Sequence, residues 1–389
     1  MMMGGSTTSL LALLNCLDKE KYEIDLQLYR EKGELFDLIP DAVNVLPFAI
    51  RFNKTIRKPL QILIGVFKGY FFKAFYINRK NKRIGFSQQV LSDFQVKESS
   101  KFNTKHYDYA IGFLEGWSDR YLAYKVNADK KYAWIHSTFE NIAPVPELEF
   151  NWMEKVDKIA FVSDQCTVDF KDRFPRFAKK TLTVENILDS SIIHKRSEMI
   201  DNNDACYTSF SNFEGTKIIT VCRIDINIKG LDRALVCAKT LKSKNLKFMW
   251  VIVGGGAQLT QFRERIKETD LSDCVYAIGE RTNPYAFMKC ADVYCMLSRY
   301  EGKPMTVTES KILGIPVVVT EYLSARAQVK NGLEGIVVEN SDNSAAPILQ
   351  AFIENPEKIL EMKKYLMAQE YGNCEYINYI EEILLDGAK

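Results

Sequence analysis

The run Arg299-Tyr300-Glu301-Gly302-Lys303-Pro304-Met305-Thr306-Val307-Thr308-Glu309 sets two carboxylates eight positions apart around a helix start. It follows an apolar segment that reads as a strand, so Glu301 sits on a loop and Glu309 inside a helix. Pro304 suits the first helical turn, where its missing N–H costs nothing. The amides of Met305 to Thr308 then lack partners within the helix, and such an N-terminus attracts anions. Glu301 would repel a bare anion. A ligand that carries both negative charge and hydroxyl donors resolves the conflict, and a sugar nucleotide is such a ligand. The same spacing also fits two surface glutamates flanking a helix cap.

Three further clusters could do chemistry. In Val221-Cys222-Arg223-Ile224-Asp225 … Lys229-Gly230-Leu231-Asp232, Arg223 follows a strand and Lys229 precedes a helix. Two fixed cations there would hold a diphosphate and stabilise it as it leaves; singly, each also reads as a solvated loop charge. In Tyr132-Ala133-Trp134-Ile135-His136-Ser137, His136 ends a buried-looking strand, either as a site residue or as a satisfied core histidine. In Val251-Ile252-Val253-Gly254-Gly255-Gly256 a strand runs into glycines. Position 259 is Leu, so the dinucleotide spacing Gly-x-Gly-x-x-Gly is absent, and a tight turn near a ligand is the better reading.

These residues need elements to hold them. Short β-branched runs alternate with helical stretches, the pattern of parallel sheets covered on both faces. A first series of strands is expected at 22–29, 42–46, 107–114, 131–136, 158–163 and 181–185. A second is expected at 217–222, 248–253, 275–279, 293–297, 317–320 and 335–338, with helices over 231–241 and 259–268. This predicts two doubly wound domains: 1–196, a polar linker at 197–215, 216–365, and a C-terminal helix within 366–389 that packs back on the first domain. Ligands bind such sheets at the carboxyl ends of the strands, which points to the cleft between two of them. Gly4-Gly5-Ser6-Thr7-Thr8 reads as a glycine-rich turn entering a helix from Ser9 to Leu17. Only three methionines precede it, so a first strand is expected to be missing.

Composition narrows the function. The 389 residues are 47% hydrophobic and 26% charged, with a formal charge of +2, which is ordinary globular composition without the basic excess of a nucleic-acid binder. Nine cysteines without Cys-x-x-Cys spacing suggest reduced thiols in a cytoplasmic protein, and three histidines at no motif spacing suggest no metal site. From Arg51 to Arg83 there are ten basic residues and no acidic one, interleaved with aromatic and aliphatic side chains. That pattern suits a helix lying on an anionic membrane surface, at the inner face of the cell membrane; it equally suits a domain helix with a solvated basic face.

Taken in order, these motifs resemble the retaining GT-B glycosyltransferases of glycosyltransferase family 4, bacterial surface-polysaccharide type. The resemblance is strongest over 217–338, and Leu114-Glu115-Gly116 and Tyr322 to Val329 resemble the same subgroup. It implies two Rossmann-like domains facing across a cleft and transfer of a hexose from a nucleotide-sugar to a glycan or lipid-linked acceptor, without metal or cofactor. A UDP-sugar is favoured over a GDP-sugar. It also implies catalytic roles for His136, Arg223, Lys229 and Glu301. Donor binding falls to Gly4, Gly5, Gly254, Gly255, Lys303, Pro304, Met305, Thr306 and Glu309. Glu309 would hold the ribose and Glu301 the donor sugar. The rival readings are a glycoside hydrolase using the two glutamates, a sugar-nucleotide epimerase or phosphorylase of the same architecture, and a catalytically impaired nucleotide-sugar-binding protein.

Overall fold

The computed structural model describes residues 5–29, 36–47, 105–139, 145–201 and 203–386, together with 89, 92, 93, 95 and 96. Gly4, the expected missing strand before it, and the basic segment 51–83 lie outside these residues. The chain divides into two compact units. One comprises Leu13–Asn186 with Glu375–Lys389, the other Met3–Ala12 with Ile187–Cys374.

In the first unit, helix α1 (Gly5–Cys16), whose residues through Ala12 belong to the second unit, leads to strands β1 (Ile24–Leu26) and β2 (Val43–Val45), which pair in parallel. Gly5 is thus helical, and the expected glycine turn is already the first turn of α1. Next come β3 (Tyr107–Gly112), α2 (Trp117–Lys125), β4 (Ala128–Ile135), β5 (Lys158–Phe161), α3 (Asp164–Arg173) and β6 (Thr181–Thr183). The four strands make a parallel sheet in the order β3-β4-β5-β6. Its core is aromatic, with Phe139, Trp152, Phe161, Phe170 and Phe177 packed around Ile135 and Ile159.

Past Asn186 the second unit resumes with α4 (Ser190–Ser197) and α5 (Ala205–Ser211). The expected linker at 197–215 is therefore corrected: the chain changes unit after Asn186, and the polar stretch carries a helix. Asp204, one of the residues that made it look like a connector, is the N-cap of α5 and accepts from the amides of Cys206 and Tyr207.

There follow β7 (Thr216–Val221), α6 (Leu231–Ser243), β8 (Phe248–Val253), α7 (Leu259–Glu268), β9 (Val275–Gly279), α8 (Tyr285–Cys290), β10 (Val293–Met296), α9 (Met305–Ile312), β11 (Val317–Thr320), α10 (Ala325–Gln328) and β12 (Gly335–Val338). All six strands are parallel, in the order β12-β11-β10-β7-β8-β9. Alternate side chains feed two cores. Ile218, Trp250, Ile252, Cys295 and Val318 face one layer of helices; Ile219, Val251, Val253, Met296 and Val319 face the other. Burial on both faces is why these strands read as unbroken β-branched runs. The strand order reverses between β7 and β10, and crevices of α/β sheets open at the carboxyl end of such a reversal.

Candidate functional site

The two loops that leave this reversal carry the charged residues singled out above. The loop after β7 holds Arg223 and Lys229; the loop after β10 holds Glu301. Gly230 lies between Lys229 and α6 at φ +62°. A side chain there would meet the Leu297 carbonyl oxygen at 1.9 Å, so glycine lets the two loops touch. Gly254 does the same for β8: its φ is +150°, and a Cβ would fall 1.8 Å from the Cys222 carbonyl oxygen. The Arg299 amide donates to the Ile228 carbonyl at 2.9 Å and stitches the loops together.

Lys229 Nζ lies 2.7 Å from Glu301 Oε1. The Ser298 hydroxyl donates to that same oxygen at 2.7 Å. Burial alone would pull the Lys229 ammonium down, and the Glu301 carboxylate more than offsets it, so its pKa is raised. Cys222 lies beside this pair, its thiol pushed up to about 12 by burial. Arg223 is exposed and makes no ion pair among the described residues.

Pro304 is the N-cap of α9, one position earlier than expected, with φ −66° and ψ 120°. Val307 N donates to the Pro304 carbonyl, whereas the amides of Met305 and Thr306 make no hydrogen bond among the described residues. Gln328 Nε2 donates to the Pro304 carbonyl at 2.8 Å and to Thr308 Oγ1 at 3.0 Å. The Tyr322 hydroxyl fixes Gln328 Oε1 at 2.7 Å, and Ser324 donates to the Gly302 carbonyl. The segment from Tyr322 to Gln328 therefore braces the Glu301 loop from outside it.

Glu309 is 4% exposed. Its Oε1 accepts from the Tyr285 hydroxyl at 2.9 Å. Burial pushes its pKa up to about 7, with Tyr285 and Arg196 acting in the opposite direction. Burial holds the Tyr294 hydroxyl well above its ordinary pKa, and the Glu301 and Glu309 carboxylates act in the same direction. Its hydroxyl donates to Thr306 Oγ1 at 2.7 Å.

In the first unit, His136 follows β4 and packs against Phe113 at 4.7 Å and Trp134 at 5.9 Å between ring centroids. Its amide donates to Glu115 Oε2 at 3.0 Å. Among the described residues neither ring nitrogen has a hydrogen bond of ordinary geometry. Burial lowers its pKa to about 3, with the Asn186 side chain opposing weakly, so the ring is neutral at physiological pH.

The structure thus joins Lys229 to Glu301, sets Thr306 and Glu309 on the helix beyond them, and uses Gly254 to let β8 approach. Gly255 lies by Glu280, whose carboxylate a side chain there would meet at 2.8 Å. Sequence reasoning missed Tyr285, Arg196, Ser298 and Tyr294. Nothing in the spacing marks them: a tyrosine in Tyr285-Ala286-Phe287-Met288 looks like core, and Arg196 sat at the edge of a presumed linker.

Comparison with known proteins bears on this geometry. Residues 209–369 match the family model of glycosyl transferases group 1. They contain Lys229, Glu301 and Glu309, and both loops of the sheet reversal. An uncharacterized glycosyltransferase of Haemophilus influenzae is 30% identical over 200 residues, covering 50% of this chain and 55% of that protein. The O-antigen biosynthesis glycosyltransferase WclY of Escherichia coli is 36% identical over 92 residues, 24% of this chain and 25% of its own. The chain therefore spans about half the length of the first relative and a quarter of the second. Anabaena Alr3699/HepE, solved in complex with UDP-glucose, superposes with a TM-score of 0.65 over 99% of this chain and 96% of its own, at 14% identity. The fold is GT-B. Among the described residues no helix is long and apolar enough to cross a membrane, and no three His, Cys, Asp or Glu side chains converge as metal ligands.

Proposed function

We propose that this protein transfers a sugar from a UDP-sugar to a hydroxyl of a glycan or lipid-linked acceptor in polysaccharide biosynthesis, with retained anomeric configuration. The observation that carries the reading is the Lys229–Glu301 pair at the sheet reversal, beside the amides of Met305 and Thr306, which make no hydrogen bond among the described residues. Cation and amides take the diphosphate; the carboxylates take hydroxyls. In the reaction the bond from the anomeric carbon to the diphosphate oxygen breaks, and its electron pair leaves with UDP. The acceptor oxygen bonds that carbon on the same face, and its proton passes to the departing phosphate oxygen. Charge grows on the diphosphate as the bond breaks, so Lys229, Arg223 and the amides bind the transition state more strongly than the ground state. His136, held neutral, is also proposed to bond a donor-sugar hydroxyl. Lys303, Gly254 and Gly255 complete the donor loops.

The test is transfer from labelled UDP-, GDP- and ADP-sugars to a lipid-linked acceptor in anionic and in neutral vesicles. Product whose new linkage keeps the donor's anomeric configuration, made from UDP-sugar alone, is the expected result. An epimerase would convert the donor without acceptor, and an impaired binding protein would be stabilised by UDP without turnover. If segment 51–83 lies on the membrane surface, the protein also sediments with the anionic vesicles at low salt.

The raised pKa of Glu309 sets a pH dependence. Ribose hydroxyls donate to a carboxylate, so the donor selects the ionised form. Below pH about 7 that form is the minority, and UDP-sugar affinity should fall by up to about tenfold per pH unit. A sugar diphosphate has no group of its own titrating there. In Glu309→Gln, calorimetry should show weaker binding that is flat with pH. A wild-type affinity unchanged between about pH 5.5 and 8 removes Glu309 from the ribose site. For stability the sign is opposite: the folded-state pKa exceeds the ordinary glutamate value of 4.5, so the contribution of Glu309 is fullest below that value and is lost as pH rises through about 7.

A further inference from the structure

We propose that Tyr285 is a positioning residue for Glu309, and that Thr8 and Arg196 hold Tyr285 in turn, so that selectivity for a ribose diol is built by four side chains. This rests on the nucleotide-sugar reading above. All four residues belong to the second unit.

Glu309 has two carboxylate oxygens and three side-chain torsions. Oε1 is fixed by the Tyr285 hydroxyl at 2.9 Å. Oε2 takes no hydrogen bond from the described residues and is not among the enclosed, unpartnered atoms. One oxygen is thus anchored and the other left for a ligand, and anchoring the first fixes the direction of the second. A neutral donor that orients a carboxylate leaves its charge in place for hydroxyl donors, which a lysine bridge at the same spot would partly cancel.

Tyr285 is itself held on three sides. It lies in the first turn of α8 and is 3% exposed. The Thr8 side chain, from α1, hydrogen-bonds its phenolic oxygen. The Arg196 guanidinium, from α4, stands over its ring at 4.8 Å. Arg196 cannot easily drift, because its Nη2 donates to the Thr282 carbonyl at 2.6 Å while Asn283 Nδ2 donates back to the Arg196 carbonyl at 2.7 Å. Three separate helices therefore converge on one phenol, whose hydroxyl hydrogen goes to Glu309. Pure core packing would need neither the Thr8 hydrogen bond nor the Glu309 acceptor, and phenylalanine would fill the volume.

The experiment measures Kd for UDP and for 2′,3′-dideoxy-UDP by calorimetry at about pH 8, where Glu309 is ionised. The proteins are wild type, Tyr285→Phe, Glu309→Gln and the double variant. Wild type should prefer UDP. Tyr285→Phe should lose about tenfold in UDP affinity, the scale of one hydrogen bond, and nothing for the dideoxy ligand. In the Glu309→Gln background the same change should cost less than about twofold. Equal weakening of both ligands, or a full tenfold loss on top of Glu309→Gln, overturns the positioning role and makes Tyr285 a packing residue. Wild type that binds neither ligand overturns the nucleotide reading itself, and the proposal with it. Should Tyr285→Phe fail to fold, Thr8→Val touches only the far side of the phenol. It should narrow the preference about threefold, and an unchanged preference counts against the proposal.

Discussion

Replacing Lys229 by alanine should lower kcat/KM for the donor by about a thousandfold, the scale of removing one preorganised group that faces a developing negative charge. Two effects act in the same direction. The leaving diphosphate loses its cation. Glu301, until then paired at 2.7 Å, keeps only the Ser298 hydroxyl on Oε1 and now repels the anion it once helped to seat. The pair is mostly buried, so breaking it should also cost about 2 kcal/mol of stability, less than a fully enclosed ion pair because water still reaches it. The double variant Lys229→Ala/Glu301→Gln separates these effects. It removes the stranded carboxylate, so thermal stability should return while turnover does not. If turnover also returns, Lys229 is a counter-ion for Glu301 and takes no part in the reaction.

How far this site could be read from the sequence depends on what each residue answers to. Strands β8, β9, β11 and β12 lie where the apolar runs put them; in β8 and β11 burial on both faces leaves few polar positions to blur the ends, while β9 exposes only Tyr276. Strand β4 begins at Ala128, three residues before its apolar run, since Ala128 and Lys130 pair with β3 while Asp129 between them is exposed. Lys229 and Glu301 were legible because turn glycines and a helix-opening proline stand beside them. Their mutual pairing was not, since it depends on the strand order that brings the loops after β7 and β10 together. Tyr285, Arg196 and Thr8 come from three helices at distant positions, and local pattern carries no trace of such a convergence. The linker was misread for a related reason: Asp and Asn end helices and begin them, and Asp204 begins one.

Gly230→Ala should be among the most damaging single methyls in the second unit. Left-handed backbone alone costs an alanine about 1–2 kcal/mol. At Gly332, where φ is +86° and nothing lies within 4 Å of an added Cβ, that is the whole expected cost. At Gly230 the added carbon falls 1.9 Å from the Leu297 carbonyl oxygen, and backbone on both sides leaves no flexible side chain to yield. The loop after β7 must withdraw from β10. That breaks the bond from Arg299 N to the Ile228 carbonyl and carries Lys229 away from Glu301. The total should exceed about 4 kcal/mol, among the largest effects of a point substitution, or a fall in Tm of roughly 10 °C or more for a unit of this size. Gly332→Ala should lose only a few degrees and keep full donor affinity. Thermal melts of the two variants, with and without UDP, make the comparison. Equal small losses would mean the loops can part without harm, and the contact between Lys229 and Glu301 would then not depend on glycine at position 230.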